Sequence, residues 1–85
     1  MADQLTPEDV LLGVREVSAD VLRVPLEKVE PTSRFIEDLD VDSLYVVQLA
    51  IALEDRFSIT VPEDEAQTVK TVQEMADLVS SKLSA

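Results

Sequence analysis

The stretch that most constrains this chain runs from Ser43 to Phe57, SLYVVQLAIALEDRF, and contains neither proline nor glycine. At about 100° per residue, Val46, Leu49, Ala50, Leu53 and Phe57 share one side of a helix, while Leu44, Val47 and Ile51 fall on another. Ser43 with Glu54 separates the stripes on one side, and Gln48 with Asp55 on the other. A single core takes the first stripe. The second is surplus, and three readings compete for it: a central helix covered on both faces, scattered surface residues that need no explanation, or a docking face. The polar borders speak against full burial.

The flanking sequence supplies partners for that helix. Thr6-Pro7-Glu8-Asp9 is a helix start, with Thr as N-cap, Pro at the first position and acids in the first turn. Val10, Val14, Val17 and Val21 recur at helical spacing with Leu11 and Leu22 beside them, and Pro25 ends the element. Gly13 inside it costs about 1 kcal/mol against Ala, which close packing of a neighbour would justify. Between Arg23 and Asp42, Pro25 and Pro31 forbid a continuous helix. Leu26, Val29, Phe35, Ile36 and Leu39 are expected to tuck beneath this long connection, with a short helical turn in it.

After Ser58–Val61, Pro62 fixes a turn and Glu63–Gln67 suits a short third helix. Thr71-Val72-Gln73-Glu74 is a capping box for a last helix with Val72, Met75, Ala76, Val79 and Leu83 on one face. Residues 1–5 and 84–85 are expected to fray. The fold class is therefore all-α: a single domain over 1–85, built as a small four-helix bundle of three longer helices and a short third, with a long loop between helices one and two.

Ser43 follows an acidic turn, Glu37-Asp38-Leu39-Asp40-Val41-Asp42. Asp42 suits the N-cap and Ser43 the exposed first helical position. Several chemistries fail there. The chain has no histidine and no cysteine, so Ser43 has no usual base, and no Gly-x-Ser-x-Gly elbow surrounds it. Acids at 38, 40 and 42 resemble the start of a calcium loop, but the positions that should be Gly and Glu are Ser43 and Leu49; no metal site is expected. The acids also oppose a free phosphate at the helix start. A net charge of −11 excludes nucleic acid as a partner and favours basic protein surfaces. No apolar run reaches a membrane span and no signal segment opens the chain; a soluble, cytoplasmic monomer without membrane contact is expected.

Asp42-Ser43-Leu44 after the Asp-Leu-x-x turn, with the apolar helix ending Leu53-Glu54-Asp55-Arg56-Phe57, resembles the acyl carrier proteins. Phe35, the Ile59-x-Val61-Pro62-Glu63-Asp64-Glu65-Ala66 segment and Thr71-Val72 extend the likeness from about Val10 to Leu83. The resemblance implies a carrier, not an enzyme. Its serine, Ser43 between Asp42 and Leu44, would hold a 4′-phosphopantetheine arm placed from coenzyme A by a phosphopantetheinyl transferase. It implies acyl thioesters presented to fatty-acid or polyketide enzymes such as a ketosynthase and an acyltransferase. Partner docking would fall on Leu44, Val47, Ile51, Glu54 and Asp55, and an acyl-chain cavity on Phe35, Leu49, Ala50, Leu53, Ile59 and Ala66. Three positions depart from the common fatty-acid pattern: Asp40 stands for Gly, and Tyr45 and Gln48 for acids. Asp-Leu-Asp-Val-Asp-Ser-Leu resembles actinobacterial carriers, and the Gly-Gly-His/Asp-Ser motif of peptidyl carriers is missing. The rival readings are an unmodified acidic adaptor docking through Leu44, Val47 and Ile51, and an aminoacyl or peptidyl carrier.

Overall fold

The chain starts its first helix where the side chains can close the backbone. In the computed structural model, which describes residues 5–84, Thr6 and Asp9 cap each other: the Thr6 hydroxyl accepts the Asp9 N–H at 3.1 Å and the Asp9 carboxylate accepts the Thr6 N–H at 3.2 Å. Helix α1 then spans Pro7–Leu22. It stops at Arg23, whose φ of 59° turns the chain left-handed. There the Ala19 carbonyl accepts both the Arg23 and Val24 N–H groups, the arrangement of a Schellman closure. Pro25 lies two residues further on. Residues 1–4 and residue 85, expected to fray, lie outside the described residues, and Ser84 is the last residue of the final helix.

Helix α2 covers Ser43–Phe57 and ends in the same way, at Ser58 with φ 56°. A short α3 spans Glu63–Thr68 and α4 spans Val72–Ser84. The capping box before α4 forms as the sequence requires, with the Glu74 N–H on the Thr71 hydroxyl at 3.1 Å and the Thr71 N–H on Glu74 at 3.3 Å. Four helices and no strand among the described residues make a small helical bundle. Helix α1 packs on both α4 and α2, and α3 packs on α2. No helix among the described residues is long and apolar enough to cross a membrane.

The main core joins Val10 and Val14 of α1, Val46, Leu49 and Leu53 of α2, and Val72, Met75 and Val79 of α4, with Val29 and Phe35 inserted from the long loop. A smaller cluster of Ala50, Val61 and Ala66 fills the space between α2 and α3. Ser18 is a polar residue inside the core, satisfied by donating to the Val14 carbonyl at 2.6 Å.

The loop is held by polar ties that its apolar content did not reveal. Arg15 of α1 donates to the Val29 carbonyl at 2.6 Å and to the Leu26 carbonyl at 3.3 Å, fixing a single 3₁₀ turn at Leu26–Lys28. Arg34 and Thr71 form an antiparallel bridge, with the Phe35 N–H on the Lys70 carbonyl and the Val72 N–H on the Ser33 carbonyl. Phe35, tied by its N–H to the Lys70 carbonyl, enters the core, while Ile36 in the turn that follows is exposed, contrary to the expectation that both tuck in. Leu26 is likewise exposed, because its turn is anchored through the backbone and only Val29 inserts. Leu83, assigned to the buried face of α4, sits exposed in its last turn.

Gly13 has its reason in the α1–α2 contact. A Cβ built there would lie 2.6 Å from the Cζ of Phe57, well inside van der Waals contact. Among the described residues, Arg23, Asp40 and Ser58 have left-handed backbone without being glycine.

Candidate functional site at the start of helix α2

The acidic turn delivers Ser43 to the protein surface. Anchored at Phe35, the chain folds back so that the Arg34 carbonyl accepts the Asp38 and Leu39 N–H groups at 2.8 and 3.1 Å and the Phe35 carbonyl accepts the Val41 N–H at 3.2 Å. Asp40 makes the reversal with φ 57°, a conformation that Asp tolerates better than most residues other than Gly. Asp42 then leaves extended and caps α2, its Oδ1 accepting the Leu44 N–H at 3.2 Å. Ser43 is the first helical residue and is exposed. Its hydroxyl points to the same Asp42 Oδ1 at 3.4 Å.

Two of the four acids around this turn are already partnered. Arg34 forms ion pairs with Glu37 at 3.1 Å and with Asp38 at 3.3 Å. The Arg34 backbone N–H and guanidinium hold the Asp38 carboxyl below its ordinary value, and bonding to Asp38 raises Arg34 in turn. Asp40 and Asp42 remain nearest the serine in sequence. Arg34 was not assigned this part from the sequence; Arg-x-x-Glu-Asp spacing was the available signal.

Chemically, the arrangement presents a hydroxyl without activating it. A 3.4 Å contact to a carboxylate is long for an O–H donor, and no imidazole exists to take the proton. Three of the six other serines have their hydroxyls engaged. Ser18 is buried, Ser33 is tied to the Lys28 carbonyl and the Glu30 N–H, and Ser81 donates to the Leu78 carbonyl of its own helix.

The surplus stripe of α2 reaches solvent. Leu44 is 68% exposed and Ile51 59% exposed, whereas Val47 between them is half-buried. Of the two acids assigned to its border, Asp55 is exposed, but Glu54 is half-buried and its carboxylate accepts the Val61 N–H at 2.6 Å. Glu54 thus braces the α2–α3 loop. The residues assigned to an acyl cavity do come together inside the bundle. Phe35, Leu49 and Leu53 lie in the main cluster, Ala50 and Ala66 in the smaller one, and half-buried Ile59 packs against both.

This site lies within a segment that matches a known family. Residues 13–79 match the phosphopantetheine attachment site family. The chain belongs to the acyl carrier protein family. It is 41% identical over 81 residues to an acyl carrier protein of Thermosynechococcus vestitus, covering 95% of this chain and all of the relative. It is 44% identical over 73 residues to one of Helicobacter hepaticus, covering 86% of this chain and 96% of the relative. With the acyl carrier protein of Acidothermus cellulolyticus it shares 36% identity over 77 residues, covering 91% and 92% of the two chains.

Family membership makes the chain a carrier rather than a catalyst and implies a covalently attached 4′-phosphopantetheine. It also implies dealings with a phosphopantetheinyl transferase and with synthase enzymes. The residues fit such a group: an acyl carrier protein needs an accessible hydroxyl to esterify, and Ser43 offers one, exposed and in open reach of a second protein. The left-handed Asp40 accounts for the glycine that the family commonly has there, since glycine adopts that backbone without steric cost.

Proposed function

We propose that Ser43 is the attachment residue and that the chain carries acyl groups between enzymes of fatty-acid or polyketide synthesis. The observation that carries this reading is the exposed Ser43 hydroxyl at the first position of α2, set beside the Asp42 cap. Attachment forms a bond from Ser43 Oγ to the pantetheine-bearing phosphorus of coenzyme A and breaks the pyrophosphate link, releasing adenosine 3′,5′-bisphosphate. The serine proton passes to a base of the transferase, since the Asp42 carboxylate at 3.4 Å is a long contact for an O–H donor. The arm supplies the thiol that the cysteine-free polypeptide lacks, and an acyl group rides on it as a thioester.

What this chain contributes is placement and recognition. Asp42 fixes the first turn of α2 and so the direction in which Ser43 projects. Leu44, Val47 and Ile51 form the apolar centre of the docking face, with exposed Asp55 as its acidic border, while Glu54 is engaged with the Val61 N–H. Basic partner surfaces approach it by attraction to the chain's −11 charge. Phe35, Leu49, Ala50, Leu53, Ile59 and Ala66 line the space that an apolar acyl chain enters.

Incubation of the wild type and Ser43→Ala with coenzyme A and a broad-specificity transferase tests the reading by intact mass. One arm on the wild type and none on the variant is expected. An unmodified wild type would favour the acidic adaptor, and an arm retained on Ser43→Ala would place attachment elsewhere.

A further inference from the structure

Beside Ser43 lies an open groove of about 650 Å³, bounded by the end of α1, the turn before α2 and the first turn of α2. Its apolar lining is Val21, Leu22, Leu39 and Val41, each half-buried. All four also pack against the main core, so they cannot swing away without loosening it. Tyr45, 48% exposed, stands at the α2 edge. Arg23 stands at the α1 edge and makes no ion pair among the described residues. Asp40 and Asp42 supply the acidic part of the lining. The walls are fixed by the Ala19, Arg34 and Phe35 carbonyl bonds that close α1 and the turn.

We propose that this groove is a resting berth for the phosphopantetheine arm, with Arg23 facing the phosphodiester and the apolar lining receiving the dimethyl-branched segment of pantetheine. The inference rests on Ser43 being the attachment residue. Its volume lies within the range of about 300–1,000 Å³ usual for small-molecule sites. The Ser43 hydroxyl stands 3.4 Å from Oδ1 of Asp42, which lines the groove, so a tethered arm begins beside its acidic rim. A short flexible tether holds its far end at an effective concentration of the order of millimolar, and a contact of only millimolar strength is then well populated.

Charge and chemistry fit the same occupant. A phosphodiester next to Asp42 is repelled from the acidic side and drawn to the one cation of the groove, Arg23, whose planar donors suit phosphate oxygens. The amide N–H groups of pantetheine find carboxylate acceptors in Asp40 and Asp42, and the branched methyls find an apolar floor. Tyr45 widens that floor with an aromatic ring.

The test uses isotope-labelled chain converted to the holo form with unlabelled coenzyme A, with the mass checked first. Filtered nuclear Overhauser spectra then report which side chains touch the arm's paired methyls. Contacts to Val21, Leu22 and Leu39 are expected, with populations falling about two- to fivefold in Arg23→Gly, the change a single surface ion pair can produce. Arg23→Gly suits the left-handed backbone at that position, so its fold is retained, and Tyr45→Asp should weaken the same contacts from the other edge. A chain that accepts no arm overturns the attachment reading and the berth with it. A holo chain whose arm methyls touch nothing in the groove, or touch it equally in both variants, overturns the berth alone.

Discussion

Replacing Gly13 by Ala sets two effects of known size against each other. In a helix interior Ala is favoured over Gly by about 1 kcal/mol. The new methyl, however, would arrive 2.6 Å from the Cζ of Phe57, and overpacking of this kind costs about 1–3 kcal/mol. The ring is half-buried, but it is not free: Arg56 lies over it at 5.9 Å and is itself paired with Glu16 of α1 at 3.2 Å. The net expectation for Gly13→Ala is a destabilisation of about 0–2 kcal/mol. In a Phe57→Leu background the clash is gone, and the same substitution should stabilise by about 1 kcal/mol. Denaturant unfolding of the four proteins gives the coupling directly. The α2 helix of 15 residues is about 22 Å long, so Phe57 and Ser43 stand at opposite ends and arm attachment should be unchanged throughout. A stabilisation of about 1 kcal/mol by Gly13→Ala in both backgrounds would refute the close approach as the reason for this glycine.

The two stripes of α2 should separate by mutation. Leu53→Ala, at a fully buried site, should cost about 2–5 kcal/mol, while Leu44→Ala and Ile51→Ala should stay within about 0.5 kcal/mol and instead slow turnover of the loaded carrier by a ketosynthase; half-buried Val47→Ala should fall between, near 1 kcal/mol. At the left-handed Asp40, thermal melts should show Asp40→Val losing about 1–2 kcal/mol and Asp40→Gly losing nothing. Because Arg34 holds the Asp38 carboxyl low, the stability it adds is present above the ordinary value of 3.8 and is lost as the pH falls through the folded value. Denaturation across pH should therefore show wild type above Asp38→Asn at neutral pH and the two converging in acid; a gap that persists in acid would mean the charge of Asp38 is not its source.

Much of this could be read from residue order because the signals were local. Thr6, Asp42 and Thr71 cap helices by contacts within three residues, so the helix starts were legible, and helical periodicity separated Leu53 from Ile51. What stayed hidden depends on partners far apart in sequence. Arg15 holding the Leu26 and Val29 carbonyls, and the Arg34–Thr71 bridge that anchors the loop beside Phe35, have no local signature. The same holds at the candidate site. Ser43 and its cap were legible, but the bonding of Glu54 to the Val61 N–H, which draws that carboxylate off the docking border, follows only from how the α2–α3 loop returns. The groove at Arg23 and Tyr45 likewise exists only once α1 and α2 are packed.

Peptide fragmentation of the transferase-treated protein tests the attachment site most directly. The arm should be found on Ser43 and on no other hydroxyl, with Ser18, Ser33, Ser58 and the serines of α4 bare. An arm located on any of those residues, or none on a chain exposed to several active transferases, would contradict the assignment.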